Sequence, residues 1–322
     1  MAKITFENNE YECSSSETVL ECLRRHGVAY PYSCQSGVCQ SCLTHSLDGT
    51  PPKDSQSGLK PTQAAQNYFL ACICKPEQDL KISLPNASED QVILTRVISK
   101  TMLNNDIVKL SLASPENYRY FPGQFLNLRK NNVLMRSYSI ASVPQLDETI
   151  DLHIRKLPEG RVSGWVHDQL NIGDEVSISE AKGDCFYTVG DPEKNMLLIG
   201  TGSGLAPLYA IARDALEKGH RGTIKLYHGS QNASGLYLRQ ELQTLSDSYE
   251  QFHYFGCVSK DDNTSFQHGR ANDIALKENP ELKAWRVYLC GHPDMVSQSK
   301  KQVFLAGASF SDIYADPFLI SP

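Results

Sequence analysis

The spacing of apolar and polar positions changes character along this chain. Residues 2–13 alternate with period two around Asn8-Asn9, which predicts two short strands and a turn. From Glu17 to His26, Val19, Leu20 and Leu23 share one helical face, and Gly27 stops the pattern, so a helix is expected. Further strands are expected at Leu43–Leu47, Tyr68–Cys74 and Leu80–Leu84. A few strands around one helix make a small α+β unit over residues 1–85. The polar run 86–91 following Pro85 reads as a linker.

From Val92 to about Tyr187 the alternation becomes short and frequent. It predicts strands at Val92–Ser99, Asp106–Leu112, Gln124–Leu128, Ser137–Ala141, Thr149–Arg155 and Glu175–Ser179, with one helix at Val162–Leu170. Turn residues separate these strands, as in an antiparallel barrel, placed at 92–189. Beyond Asn195 strands and helices take turns. Strands are expected at Met196–Ile199, Ile224–His228, Phe252–Val258 and Arg286–Leu289, and helices at Pro207–Lys218 and Leu236–Ser246. That order is the mark of a parallel α/β domain, placed at 190–322.

Composition narrows the setting. A chain of 322 residues suggests two or three domains, and 40% hydrophobic with 21% charged residues is ordinary for a soluble protein. No run of about 18 apolar residues occurs, so no membrane-spanning helix is expected. The N-terminus reads as a strand and not as a signal peptide, and ten cysteines without a secretion signal point to a reducing cytoplasm. A formal charge of −6 argues against nucleic acid as a partner.

The cysteines carry the first chemistry. Cys34, Cys39 and Cys42 form C-x4-C-x2-C, and Cys72 follows after 29 intervening residues. This is the spacing of plant-type [2Fe–2S] ferredoxins, in which a tight loop aims three thiolates and a distant segment brings the fourth. Zinc prefers paired knuckles, and His45 lies off that spacing. A disulfide framework does not suit a large chain without a signal peptide. Cys74 competes for the fourth position, because on an alternating strand it faces the same side as Cys72; spacing favours Cys72. Cys13, Cys22, Cys185 and Cys257 follow no pattern and read as small buried hydrophobes.

Two further groups of residues ask for nucleotides. In the barrel region, Arg136-Ser137-Tyr138-Ser139 closes one strand, His153-Ile154-Arg155 closes another, and Gly160-Arg161-Val162-Ser163 opens a helix. A flavin dinucleotide needs an arginine and helix N-terminal N–H groups for its diphosphate, and an aromatic face and a hydroxyl for its ring. In the α/β region, Gly200-Thr201-Gly202-Ser203-Gly204-Leu205-Ala206-Pro207 follows a buried strand and precedes a helix, where a pyrophosphate can approach the backbone. The spacing is not G-x-G-x-x-G. A later buried strand ends in Cys290-Gly291-His292-Pro293, at the same edge of the sheet.

Taken in order, these segments make the chain resemble the reductase components of multicomponent bacterial oxygenases, especially those serving ring-hydroxylating dioxygenases. The resemblance runs along nearly the whole chain. It implies a β-grasp ferredoxin-like domain, an antiparallel flavin barrel and a parallel-sheet nicotinamide domain. It assigns Cys34, Cys39, Cys42 and Cys72 to a [2Fe–2S] cluster. Arg136, Ser137, Tyr138, Ser139, His153, Ile154, Arg155, Gly160, Val162 and Ser163 are assigned to FAD. Gly200, Thr201, Gly202, Gly204, Cys290 and Gly291 are assigned to the nicotinamide nucleotide, with His292 where the family has a small residue or proline. The aromatic segment Ile313–Phe318 matches the family's C-terminus, where Phe318 or Tyr314 can cover the flavin or pack in the core.

The implied route runs from nicotinamide to FAD to cluster to an outside acceptor, a terminal oxygenase or an intermediary ferredoxin. Ser139 would hydrogen-bond near the hydride-accepting nitrogen, and Thr201 and Cys290 would place the nicotinamide. NADH is favoured over NADPH, because Gly229-Ser230-Gln231-Asn232 offers no cation for a 2′-phosphate and Arg239 reads as a solvated residue. A cytoplasmic monomer is expected. A reductase of the same build for a soluble monooxygenase or a sugar-deoxygenation enzyme is the alternative, and an iron–sulfur redox sensor the remoter one.

Overall fold

Glu7 and Asn8 both take left-handed backbone, with φ of 49° and 64°, in the computed structural model of the chain. Positive φ at both central residues is what a two-residue hairpin needs. It pairs β1 (Ala2–Phe6) with β2 (Asn9–Cys13) one residue earlier than the Asn8-Asn9 turn expected from sequence. The structure describes residues 2–85, 92–131, 134–261 and 265–318. The linker expected at 86–91 lies outside the described residues. The chain forms two compact units, residues 1–91 and 92–322.

In the first unit, α1 (Val19–Arg25) starts with a capping box between Thr18 and Glu21 and ends before Gly27, whose φ is +76°. It lays Val19, Leu20, Cys22 and Leu23 into the core. The remaining elements are β3 (Leu43–Asp48), α2 (Pro61–Ala65), β4 (Tyr68–Leu70) and β5 (Leu80–Ser83). The sheet order β2-β1-β5-β3-β4 has one parallel pair, β1 with β5, and is crossed by α1, as the β-grasp reading requires. One expectation fails. The strand predicted over Tyr68–Cys74 stops at Leu70. The N–H groups of Ile73 and Cys74 both turn back to the Leu70 carbonyl, so Cys72 and Cys74 lie on a turn and not on one strand face.

The second unit begins with β6 (Ile93–Met102), β7 (Ile107–Ala113), β8 (Phe125–Arg129), β9 (Met135–Ser139), β10 (Thr149–Arg155), α3 (Arg161–Asp168) and β11 (Glu175–Ile178). The sheet runs β10-β7-β6-β11-β8-β9, wholly antiparallel, and an Ile140–Leu152 bridge joins its two ends into a barrel. Inward-facing Leu110, Leu112, Leu126, Leu128, Ile150 and Leu152 fill it.

A parallel sheet follows. It is made of β12 (Met196–Thr201), α4 (Leu205–Glu217), β13 (Ile224–Ser230), α5 (Arg239–Ser248), β14 (Phe252–Val258), β15 (Gln267–His268), α6 (Ala271–Glu278), β16 (Arg286–Gly291), α7 (Pro293–Leu305) and β17 (Ile313–Pro317). The order is β15-β14-β13-β12-β16-β17. Met196 and Leu198 pack under α4, while Leu197 and Ile199 pack under α6 and α7, so β12 is apolar on both faces. The strand order reverses between β12 and β16, where such sheets bind ligands. The helix expected at Leu236–Ser246 starts only at Arg239, because Leu238 takes left-handed backbone. No helix among the described residues is long and apolar enough to cross a membrane.

Buried neutral histidines tie the barrel to the sheet. His153 Nδ1 is 3.2 Å from Tyr237 Oη, and the Tyr237 ring also meets the His228 ring edge-on. Burial holds His153 and His228 down at about 3, with Lys109 adding to the effect at His153. The unfolded chain, titrating near 6.5, binds more protons in between, so stability is present above about pH 6.5 and is lost as pH falls. Buried Asp214 and half-buried Asp316, whose carboxyls desolvation pushes up, act in the opposite sense. Both tryptophans, Trp165 and Trp285, belong to this unit. Tryptophan-monitored urea unfolding should therefore show stability falling from pH 7 to pH 5, by up to about 1.4 kcal/mol per pH unit for each histidine. His153→Gln should flatten the fall, and a flat profile in the unaltered protein would refute the assignment.

Candidate functional site

The cysteine loop bends where its backbone is least comfortable. Gln35, Gly37 and Gln40 take φ of 54°, 77° and 57°. Only glycine is at ease there, so two glutamines are held in left-handed backbone by the loop itself. The result aims N–H groups at sulfur: Ser36 N and Cys39 N point at Cys34 Sγ at 3.5 and 3.4 Å, and Cys34 N points at Cys39 Sγ at 3.4 Å. With Ser36 first among the causes, these donors bring the Cys34 thiol down to about 5. Ser41 and the Cys34 N–H lower Cys39 in the same way. Cys34 and Cys39 are exposed.

Cys42 and Cys72 are buried against one another. The Ala71 N–H donates to the Cys42 carbonyl and fixes the turn that presents Cys72. Cys74 is buried in the same apolar core, where burial pushes its thiol up to about 12 and its hydrogen-bonding neighbour is Ser55 rather than another cysteine. The sulfurs thus fall into two pairs, Cys34 with Cys39 and Cys42 with Cys72. Two pairs of thiols suit a cluster with two irons, two thiolates to each.

The nicotinamide edge of the sheet is built by contacts that allow no side chain. A Cβ on Gly204 would collide with the Cys290 carbonyl, one on Gly200 would come within 2.6 Å of Leu208 Cδ1, and one on Gly291 (φ +124°) within 2.6 Å of Thr201 Oγ1. Thr201 Oγ1 accepts from His292 N at 3.2 Å. The first turn of α4 carries neither an acidic residue nor a side-chain cap; the Leu205 N–H turns back to the Gly202 and Ser203 carbonyls and Pro207 has none, so what the start offers an anion is chiefly its dipole. In the barrel, a Cβ on Gly160 would strike Ser163 Oγ, which instead accepts from Leu157 N at 3.2 Å. The first turn of α3 also lacks a side-chain cap and an acid, and it carries Arg161. These two bare helix starts suit the diphosphates of two dinucleotides.

The predicted residues take several places. Ser139 is buried at the end of β9, with Arg136 and Tyr138 half-buried on the same strand and Ser137 exposed. Val162 faces the barrel core, as does Ile154. The His153 side chain is sealed against Tyr237, so only its backbone is open to a ligand. Arg155 pairs with Asp106 at 2.7 Å and lies beside Gly202, on the nicotinamide side. Phe318 is half-buried, and its N–H donates to the Gly291 carbonyl. Tyr314 stacks on Tyr288 in the core.

One site residue escaped the sequence reading. Asp316, on β17, pairs in register with Cys290 and accepts a hydrogen bond from Ser139 Oγ at 3.0 Å. Burial pushes its carboxyl up. It stands inside Ile313–Phe318, a segment noticed for its aromatics. The acid had no signal of its own, because β17 joins β16 only in the fold.

Profiles of three domain families match the chain: a 2Fe-2S iron-sulfur cluster binding domain over residues 3–77, an oxidoreductase FAD-binding domain over 94–187 and an oxidoreductase NAD-binding domain over 198–301. The reductase component of the naphthalene 1,2-dioxygenase system of Pseudomonas putida is 31% identical over 95% of this chain and 94% of its own length. The chain belongs to the reductase components of oxygenase systems. It is an NAD(P)H-dependent flavin and iron–sulfur oxidoreductase, with a [2Fe–2S] cluster, FAD and a nicotinamide nucleotide as its cofactors. The reductase component of propane 2-monooxygenase from Gordonia sp. (strain TY-5) is 28% identical over 98% of this chain and 96% of its own length. Among solved structures, an Amycolatopsis cytochrome P450 reductase has a TM-score of 0.69 at 27% identity, covering 99% of both chains. The ferredoxin reductase of carbazole 1,9a-dioxygenase shares the fold, with a TM-score of 0.66 at 23% identity over 99% of this chain and 98% of that one.

The two turn cysteines give a direct test. Cys72→Ser should abolish or alter the visible spectrum of the cluster, while Cys74→Ser should leave it intact; the reverse result would exchange their roles. If Ser139 and Asp316 flank the flavin, Ser139→Ala and Asp316→Asn should each slow flavin reduction by about tenfold, and the double variant should be little worse than either, as expected of residues that act as one unit. Independent, additive losses would separate the two roles.

Proposed function

We propose that this chain takes a hydride from NADH and passes electrons singly to a ring-hydroxylating dioxygenase or to the ferredoxin that serves one. The contact between Ser139 and Asp316, beside Cys290, carries the reading. It brings a barrel hydroxyl, a sheet thiol and a half-buried carboxyl to one point, where a flavin ring from one side and a nicotinamide from the other would meet. Bound FAD supplies the conversion between hydride and single electrons, and the cluster supplies the one-electron exit.

The chain's own residues orient and shield. Arg136 and the α3 start at Gly160–Ser163 would hold the flavin diphosphate, and Tyr138 would offer its aromatic face to the ring. The turn Gly200–Gly204 would hold the nicotinamide diphosphate, with Thr201 and Cys290 positioning the nicotinamide. Ser139 Oγ is held by its hydrogen bond to Asp316, whose carboxyl desolvation pushes up, and would present its hydroxyl to the flavin's reactive nitrogen. Phe318, whose N–H donates to the Gly291 carbonyl, would cover the flavin. Cys34, Cys39, Cys42 and Cys72 hold the cluster.

The preference for NADH rests on the end of β13. There Gln231 is occupied by Lys260 Nζ at 2.9 Å, the Asp261 carboxylate accepts from Ala233 N at 2.6 Å, and Arg239 lies over the Phe266 ring. The Asp261 carboxylate suits a ribose hydroxyl, while Lys260 is a cation at that edge which the sequence reading did not place and which NADPH would need to recruit. Relatives serving a dioxygenase and a monooxygenase share this build, so a soluble monooxygenase is the second acceptor to test. We place the protein in the cytoplasm as a monomer, with domains at 1–85, 92–189 and 190–322.

Anaerobic addition of NADH should bleach both flavin and cluster bands, faster than NADPH does. Cys290→Ser should slow flavin reduction while leaving the cluster spectrum intact. A preference for NADPH would overturn the donor assignment, and unchanged kinetics in Cys290→Ser would remove that thiol from the hydride site.

A further inference from the structure

Two thiols touch where the barrel meets the parallel sheet. Cys185 Sγ and Cys290 Sγ are 3.7 Å apart, and both residues are buried. Their backbones are fixed independently. The Cys185 carbonyl lies so close to Gly123 that a Cβ there would come within 2.6 Å of it. Cys290 is paired with Gly200 on one side and Asp316 on the other. A disulfide holds its sulfurs about 2.05 Å apart, so the gap to close is about 1.7 Å, within reach of side-chain rotation.

We infer that Cys185 and Cys290 form a reversible disulfide that shuts off hydride acceptance when peroxide accumulates. The inference rests on the reading of Cys290 as a nicotinamide-placing residue. The oxidant is hydrogen peroxide. One sulfur, as its thiolate, attacks a peroxide oxygen; the O–O bond breaks, giving a sulfenic acid and, after proton uptake, water. The second sulfur then displaces the hydroxyl as a second water and the S–S bond forms. Two thiols and one peroxide become a disulfide and two waters, with two electrons passing to oxygen. A small dithiol reverses the step by exchange.

The consequence is local. The Cys290 sulfur is drawn toward the barrel and away from the nicotinamide side, and its thiol is lost. Burial pushes the Cys290 thiol up, so thiolate is scarce and the pair oxidises slowly compared with turnover. A reductase that sheds electrons to oxygen makes peroxide when its acceptor is absent, and a slow pair registers that state without interrupting normal cycles. Cys13 and Cys22, in the other unit, are a further close thiol pair besides those assigned to the cluster, so the link must be located and not merely counted.

The test uses the holoenzyme, treated with hydrogen peroxide or with diamide, a diazene that takes two electrons and two protons from a thiol pair. Reagent is removed, and anaerobic flavin reduction by NADH is followed. The rate should fall about tenfold or more, return with dithiothreitol, and coincide with a cross-linked peptide containing Cys185 and Cys290. Cys185→Ser and Cys185→Ala should keep the untreated rate and lose the sensitivity. Unchanged rates in the treated wild type, equal inactivation of the Cys185 variants, or no Cys185–Cys290 peptide would each overturn the switch. Failure of the untreated enzyme to be reduced by NADH would instead remove the nicotinamide reading, and the switch with it.

Discussion

The Cys290 carbonyl occupies the space that a Cβ on residue 204 would need. That single steric fact organises the nicotinamide edge. It brings the turn after β12 against the end of β16, backbone to backbone, and it makes Gly204 and Gly291 the only residue type that fits. Strand β17 then extends the sheet from β16 and sets Asp316 beside Cys290. From there Asp316 reaches across to Ser139 in the barrel. A looser loop contact would separate the thiol from the carboxyl, and both from the hydroxyl.

Hydride transfer demands that two rings lie face to face at a fixed distance, and a displacement of about 1 Å can cost a hundredfold. The seam between barrel and sheet is built for that tolerance. Arg213 grips Asp147 with two bonds of 2.8 and 2.9 Å, Asn104 donates to the Gly235 carbonyl, and Arg286 donates to the Thr188 carbonyl at 2.6 Å. Around them, Ile107, Cys185 and Tyr187 from the barrel side join the apolar cluster under α4. Polar contacts set the register of the seam, and apolar burial supplies most of its strength.

The motifs were legible because their chemistry restricts residue type. Only thiolates hold the irons, only glycine permits the close turns at 200–204 and 291, and alternation reveals a barrel strand whatever its partners. Residues whose meaning depends on distant chain were not legible. Cys185 and Cys290 are 105 positions apart, and no spacing rule connects them. Asp316 gains its role only when β17 docks on β16. Cys72 and Cys74 look equivalent on an imagined strand, and the turn at Leu70 gives them different surroundings through backbone hydrogen bonds that sequence alternation does not encode. His153 stands within a flavin-like motif, yet its side chain serves the seam, because Tyr237 arrives from another domain to claim it.

The two ends of the electron path solve opposite problems. At the proposed hydride end, Ser139 and Cys290 are buried and Asp316 is half-buried, and desolvation pushes the carboxyl up. At the cluster end, Cys34 and Cys39 are exposed, and their loop spends its hydrogen bonds on sulfur instead of on secondary structure. A single electron can leave through a rim that a partner merely touches, whereas a hydride needs its donor inserted. The left-handed backbone at Gln35 and Gln40 is the cost of that rim. Holding two non-glycine residues there turns the N–H groups inward, so that the loop can present its sulfurs outward without leaving them electrostatically bare.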